Sequence, residues 1–253
     1  MKASISVVVL TVGIMAISGG LFAADVPPAP KASTFAPAKD LVAAVDSYIE
    51  RIGEALADAD EFADLQSRVV KDAETVSVLA LVLGLHDEDN PYKAAASELI
   101  KTSQAVAQAS DYAAAKAAFE QLQAAKTAKG GAVTGWIRVA SLKALMEQVP
   151  LVNSRLKRNL RRFDRQAEGI AVDAAVLAAI AQGSMANLDE TIQPSNSEKW
   201  FAFCEQMRDA AGAVNKAARA KDEASAVTAE RALAKSCDDC HAIFHPEEVG
   251  KTE

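Results

Sequence analysis

The chain contains few of the residues that break helices or cross-link a fold. Its 253 residues include 12 glycines, 8 prolines, 3 cysteines and 3 histidines, and only 5% are aromatic. Half of the residues are hydrophobic, and alanine is prominent among them. This composition favours helices throughout the chain. The net charge of -7 at pH 7 argues against a nucleic acid as partner.

A short motif near the C-terminus carries most of the functional information. Cys237, Cys240 and His241 form the sequence Cys-x-x-Cys-His, which is the attachment sequence of a c-type haem. Two thiols three positions apart lie near one face of a helical turn, so each can form a thioether to a haem vinyl group. The imidazole of the next residue then ligates the iron, and the other axial position decides the chemistry. We therefore expect one covalent haem c.

Other uses of this motif agree less well with the rest of the sequence. A structural zinc site needs four ligands, and Cys204, His86 and His245 provide no second pair. A thioredoxin-type pair lies near a βαβ pattern, and none surrounds this motif. A plain disulfide has no use for His241. Because haem attachment leaves Cys204 unpaired, we expect no disulfide framework, and its place on an apolar seam predicts a buried free thiol.

The N-terminus has the pattern of a secretory signal peptide over residues 1–24. Lys2 precedes an apolar run from Ile5 to Phe22, and the small residues Ala23 and Ala24 follow it. Export agrees with the motif, because covalent haem is fitted outside the bacterial cytoplasm. We expect a protein of the periplasm or a secreted protein. The alternative is an uncleaved membrane anchor, and contact with a membrane is expected only in that case.

Apolar residues at helical spacing predict the architecture of the first half. Several prolines mark residues 25–38 as an extended linker. Residues 39–130 then contain four amphipathic helices joined by short loops. Pro91 suits the first turn of the third helix, and Ser110 or Asp111 can cap the fourth. Four such helices predict a four-helix bundle.

The same pattern starts again over residues 131–253. A kink or a restart is expected at Pro150, and the last helix opens at or near Asp222. The predicted fold class is therefore all-α, with two tandem antiparallel four-helix bundles.

Aligning the last helix of each half compares the haem motif with its counterpart. Lys126, Lys129 and Gly130 then stand where the two cysteines and the histidine stand in the second half. The first bundle, residues 39–130, is thus expected to lack haem, and the second bundle is expected to hold it.

A haem motif on the last helix of a four-helix bundle resembles cytochrome c prime and its relatives, the class II c-type cytochromes. Those proteins carry Cys-x-x-Cys-His near the C-terminus, followed by two residues, an aromatic residue and usually a base. Here Phe244 matches the aromatic residue and His245 replaces the base. The resemblance covers mainly Arg138 to Pro246. It implies the bundle fold, one haem c and electron transfer.

The resemblance also implies a distal residue from early in the first helix of the haem bundle. Arg138, Leu142 and Met146 are spaced there one helical turn apart, and Arg138 is a candidate for a haem contact. A leucine over the iron would leave it five-coordinate and guarded, whereas a methionine thioether would complete six ligands and raise the potential. Met146 is the better ligand by chemistry, and Leu142 better keeps the family's spacing from Arg138. Core packing is the alternative role for both residues.

Three functions remain open on the sequence. The leading one is an exported electron carrier that serves redox partner proteins. The second is a five-coordinate haem protein that binds nitric oxide or carbon monoxide. The third is a structural or interaction protein in which the haem mainly holds the second bundle together. No acid, base or nucleophile constellation is present, so we do not expect an enzyme.

Two further features concern partners. Class II cytochromes commonly form homodimers through their first two helices, so two tandem bundles could replace that dimer. A basic cluster in the second half predicts a solvated helix face, a contact between the bundles or a dock for an acidic redox partner. His86 is expected to face solvent, and His245 is expected either to face solvent or to neighbour a haem propionate. The members of the basic cluster are Arg155, Lys157, Arg158, Arg161, Arg162 and Arg165.

Overall fold

The described part of the protein is built from helices alone. A computed structural model describes residues 26–248, and the expected signal peptide at 1–24 lies outside them. Within residues 26–248 the chain is all-α, with eight α-helices in antiparallel packing and no sheet. The α-helices are α1 (Ala38–Ala55), α2 (Phe62–Leu85), α3 (Ala96–Ala107), α4 (Tyr112–Ala125), α5 (Leu142–Leu160), α6 (Phe163–Ser184), α7 (Ser197–Arg219) and α8 (Glu223–Phe244). Short 3-10 helices occupy Ala32–Thr34, Met185–Glu190 and Pro246–Glu248.

Two of the expected helix caps are confirmed. The Asp111 carboxylate accepts a hydrogen bond from the Ala114 amide at 2.9 Å and caps α4. The Asp222 carboxylate accepts one from the Ser225 amide at 3.0 Å and caps α8. Each side chain satisfies a backbone N–H that has no partner inside the helix.

Neither Pro91 nor Pro150 begins a helix, and the kink expected at Pro150 stays a prediction. Residues 91–95 form turns and α3 begins at Ala96, so the placement of Pro91 in the first turn of α3 is wrong. α5 runs through Pro150 without a restart, although proline lacks the N–H that an interior helical position donates. Residues on both sides of Pro150, including Leu145 and Val152, are buried in the core, and this packing outweighs the lost hydrogen bond.

One main hydrophobic core runs through both halves of the described chain. Each helix packs against the next one within α1–α4 and within α5–α8, and α1 and α2 also pack against α5 and α6. With the following 3-10 helix, α6 is long and apolar enough to span a membrane. However, 83% of its most apolar stretch of 18 residues is buried inside the protein. Such burial is what a central core helix requires.

Buried polar contacts tie the two halves together. Asp40 of α1 accepts hydrogen bonds from the Asn215 amide at 2.7 Å and from the Arg219 guanidinium, both on α7. The Tyr48 hydroxyl of α1 accepts a hydrogen bond from the Gln148 amide of α5 at 2.9 Å. Each of these hydrogen bonds stabilises the contact between the halves, because a buried polar group without a partner costs free energy.

The segment before α1, expected as part of a linker, lies against the core. Most of residues 26–37 lack regular structure, yet Phe35 and Ala36 are buried. The Ala36 carbonyl accepts a hydrogen bond from His86 Nε2 at 2.9 Å, and His86 Nδ1 accepts one from the Glu88 amide at 3.0 Å. The expectation of a surface His86 is therefore wrong: both ring nitrogens are satisfied inside the protein, so burial is tolerated.

Candidate functional site

A second apolar cluster, which we call the end cluster, lies apart from the main core. It forms where four helix ends of the second half meet. These are the start of α5, the end of α6 with the 3-10 helix that follows it, the start of α7 and the end of α8. Antiparallel packing brings these ends together. Its buried members are Met185, Leu188, Trp200, Cys204 and Phe244, and its partly buried members are Val26, Leu142, Phe201, Phe203, Cys240 and Ile243.

The haem motif lies in the last turns of α8, on the border of the end cluster. Cys237, Cys240 and His241 are all helical and all partly buried. Their helical conformation agrees with the expectation that residues three positions apart share one face. The structure thus brings both thiols and the imidazole to one side of one helix end.

The three thiols are all uncharged. None of them forms a disulfide in the described chain. Burial raises the pKa of Cys237 to about 11 and that of Cys240 to about 12. Burial also raises the pKa of Cys204 well above its usual value, which agrees with the predicted buried thiol. A redox-active thiol pair has a lowered pKa, so these surroundings do not suit one.

Aromatic rings form a firm wall beside the motif. The rings of Trp200 and Phe244 meet edge to face with centroids 5.3 Å apart, and those of Phe203 and Phe244 do so at 6.2 Å. The indole N–H of Trp200 donates to the Met185 carbonyl at 3.3 Å, so its polar atom is satisfied. The result is a dry apolar surface next to Cys240.

The structure separates the three distal candidates. Leu142 belongs to the end cluster, together with Cys240, whereas Met146 packs against the main core. Arg138 is not on the first helix of this half, because α5 begins at Leu142 after its cap Ser141. The expected one-turn spacing from Arg138 along that helix is therefore wrong.

Arg138 is held by carboxylates outside α5. Its guanidinium lies 2.7 Å from Asp189 and 3.2 Å from Glu190, and its side chain is 46% exposed. Glu190 also accepts a hydrogen bond from the Leu142 amide at 2.9 Å. These acids were not expected at the site, because nothing in the sequence indicates that the α6–α7 connection meets the start of α5.

His245 directly follows α8 and is exposed, as expected. Its Nδ1 lies 3.5 Å from a carboxylate oxygen of Glu247. A role for this histidine at a haem propionate stays a prediction.

The counterpart of the motif in the first half has a different structure. α4 ends at Ala125, so Lys126, Lys129 and Gly130 lie beyond its end, whereas α8 continues through the whole motif. The Lys126 ammonium lies 2.6 Å from the Asp46 carboxylate. Lys126 also lines a surface cavity of about 510 Å³ between α1 and α4. In the alignment of the two halves, Lys126 with its ion pair therefore corresponds to Cys237.

The basic cluster lies at the far end of α5. Arg155 donates to Asp173 at 2.6 Å, and the Lys157 ammonium is 3.7 Å from Glu230. The other four arginines are exposed and form no ion pair with any carboxylate between residues 26 and 248. A helix of 19 residues spans about 28 Å, so this surface is remote from Leu142 and the end cluster.

The site offers no conventional cluster of metal ligands. Among residues 26–248, no group of three or more His, Cys, Asp or Glu side chains is positioned to hold a metal ion. Comparisons with protein-family models, with curated proteins and with solved structures found no match.

Proposed function

We propose that this protein is an exported monohaem c-type cytochrome that transfers electrons through a haem attached to Cys237 and Cys240. The carrying observation is the arrangement at the end of α8. Two unpaired, uncharged thiols and the His241 imidazole share one helix end beside a wall of aromatic rings. The chemistry of these residues suits a large planar apolar group, because aromatic and aliphatic side chains form the cluster to which Cys240 belongs.

The chain's own residues would have distinct tasks. Each thiol would add its S–H across a haem vinyl group, which forms one S–C bond and one C–H bond and releases nothing. The His241 imidazole would ligate the iron. The rings of Trp200 and Phe244 would exclude water from the side of the haem that they border. When bound, the haem supplies a one-electron redox centre that the side chains lack.

The helix packing supports a class II cytochrome architecture. We infer two tandem four-helix bundles, since neighbouring helices pack in each half and the first and fourth helices of each half also touch. α1 and α2 pack against α5 and α6, which is the pairing expected if the first bundle replaces the partner of a homodimer. The first bundle would be haemless, because Lys126 and its ion pair stand at the cysteine position.

Gas binding is a second candidate, and one observation favours it. Leu142 lies in the end cluster with Cys240, while Met146 does not. A leucine has no atom that can ligate iron, so the haem would be five-coordinate. Such iron can take nitric oxide or carbon monoxide at its sixth position.

The first test of the proposal is covalent haem. The full-length chain is expressed in a bacterium that has a c-type cytochrome maturation system. The molecular mass of the exported protein is then measured by mass spectrometry. We expect the added mass of one haem that acidified acetone does not remove. Cys204→Ala should keep this haem, whereas the double variant Cys237→Ala, Cys240→Ala should lose it. Wild-type protein without covalent haem would overturn the proposal.

The second test separates the two candidate functions. Optical spectra are recorded on oxidised and reduced holoprotein, with and without carbon monoxide. Reversible one-electron reduction, with rapid exchange between the protein and a c-type cytochrome as redox probe, supports electron transfer. A shift of the reduced spectrum on addition of carbon monoxide, without rapid electron exchange, supports gas binding as the function instead. Covalent haem with neither behaviour would favour the structural role.

A further inference from the structure

Arg208 of α7 is a buried cation that lies outside the haem motif and has no role in the proposed haem attachment. Its guanidinium donates from Nε to the Asp209 carboxylate at 2.7 Å and from Nη1 to the Gln182 amide oxygen at 2.8 Å. Asp209 is 65% exposed, so water screens its negative charge far more than the buried positive charge. Burying a charge has a large free-energy cost, so the burial of Arg208 calls for a functional explanation.

Two chains of contact join Arg208 to the end cluster. Arg208 follows Cys204 by four residues on α7, and such residues are neighbours on one helix face. Its partner Gln182 also donates from Nε2 to the Met185 sulfur at 3.4 Å. Cys204 and Met185 are both buried members of the end cluster, to which Cys240 belongs. The positive charge thus neighbours Cys204 on the helix and is linked through Gln182 to Met185, and both residues belong to the end cluster.

The segment before α1 closes the other side of Arg208. The guanidinium carbon lies 5.7 Å from the centre of the Phe35 ring, which permits a cation–π contact. A Cβ atom placed on Gly212 of α7 would come within 3.0 Å of the Phe35 Cα atom, so this segment lies tightly against α7. Water therefore has little access to Arg208, and its charge acts at low effective dielectric.

We propose that the buried positive charge of Arg208 raises the reduction potential of the haem held by Cys237 and Cys240. This inference rests on the proposed function. The oxidised haem carries one more positive charge than the reduced haem. A nearby buried cation destabilises the oxidised form more than the reduced form, and burial and local charge are established ways of tuning such a potential.

The test is a potentiometric titration of the holoprotein, followed by absorbance. The variants are Arg208→Gln, which removes the charge, and Arg208→Lys, which keeps it. Arg161→Gln is the control, because Arg161 is exposed at the far end of α5. At a fixed ambient potential we expect Arg208→Gln to lower the ratio of reduced to oxidised haem about tenfold, which is about 59 mV for one electron. Arg208→Lys should stay within about threefold of wild type, and the control should not change. An unchanged potential in folded Arg208→Gln overturns the inference.

A second variant decides the matter if Arg208→Gln does not fold. Asp209→Asn changes an exposed side chain and removes the negative charge that pairs with Arg208. Because water screens this exposed charge, Asp209→Asn should raise the ratio of reduced to oxidised haem by less than about threefold, and a lowered ratio counts against the inference. Haem content is measured first in every sample. Absence of haem from wild type contradicts the proposed function, whereas normal haem with an unmoved potential contradicts only the role of Arg208.

Discussion

Leu142, the first residue of α5, and Cys240, in the last turns of α8, pack in the same apolar cluster. A group held by Cys240 would therefore border the cluster to which Leu142 belongs. Met146 lies one turn further along α5 and packs against the main core instead. The preference for Met146 as an iron ligand rested on chemistry alone, and its location disfavours it.

The first prediction concerns the sixth ligand of the iron. We expect wild-type holoprotein to have a high-spin spectrum that shifts with carbon monoxide, and Met146→Leu to keep both properties. Leu142→Met would bring a thioether into the end cluster, so it should give a low-spin spectrum and weaken carbon monoxide binding at least about tenfold. Met207→Leu, a change at another buried methionine, serves as the control. A low-spin wild type that Met146→Leu converts to high spin would show that Met146 is the ligand.

The second prediction concerns the junction between the halves. Asp40→Ala removes a fully buried carboxylate and leaves the Arg219 guanidinium and the Asn215 amide without this partner. We expect the free energy of unfolding to fall by about 3 kcal/mol, as measured by urea denaturation. Glu168→Ala is the matched control, because Glu168 is 86% exposed and lies 3.7 Å from the same arginine. The control should change stability by less than about 0.5 kcal/mol. Equal losses in the two variants would contradict a structural role for Asp40.

The third prediction compares two glycines of α6. A Cβ atom on Gly183 would come within 2.7 Å of Val78 Cγ1 on α2, and a β-branched side chain has little freedom to move away. Gly183→Ala should therefore destabilise the protein by about 1–3 kcal/mol. On Gly169 the nearest atom would be 3.5 Å away, so Gly169→Ala should stabilise it by about 0.5–1 kcal/mol through the lower entropy of the unfolded chain. Thermal unfolding monitored by circular dichroism measures both. Stabilisation by Gly183→Ala would mean that α2 and α6 pack less closely there.

The fourth prediction concerns pH. Burial, together with a 2.5 Å hydrogen bond to Asp46, raises the pKa of Tyr92 to about 12 from 10.0. Because the pKa is higher in the folded state, the stabilisation from Tyr92 is complete below pH 10 and is lost as the pH rises towards 12. The free energy of unfolding of wild type should therefore fall more steeply over this range than that of Tyr92→Phe.

The check is a series of urea titrations between pH 9 and about pH 12. Tyr112→Phe controls for the loss of a hydroxyl, since the Tyr112 hydroxyl donates to the Leu56 carbonyl. Parallel pH profiles for wild type and Tyr92→Phe would contradict the prediction.

Local signals in the sequence predicted much of the secondary structure. Helical spacing of apolar residues indicated the eight helices, and Asp111 and Asp222 cap helices as their side-chain chemistry suggests. The two prolines show the limit of such signals. Pro91 lies in a stretch of turns before α3, and Pro150 lies inside α5, because tertiary packing overrides a local preference.

Residues that depend on distant partners were harder to predict. His86 looked like a surface residue of a polar turn, yet its partner Ala36 comes from the segment before α1. Arg138 looked like part of a helix, but it bonds to Asp189 and Glu190 from another connection. Such contacts have no periodicity and no local motif, so only the folded arrangement reveals them.

The sequence by itself determined the Cys-x-x-Cys-His motif and the helical class, because these depend on residue type and on spacing along a single helix. Only the tertiary structure decided which side chains surround the motif. Antiparallel packing placed Leu142 rather than Met146 in the end cluster with Cys240, and it buried Arg208 one helical turn from Cys204 of the same cluster. These are contacts between residues that are distant in sequence, and the packing of complete helices sets them.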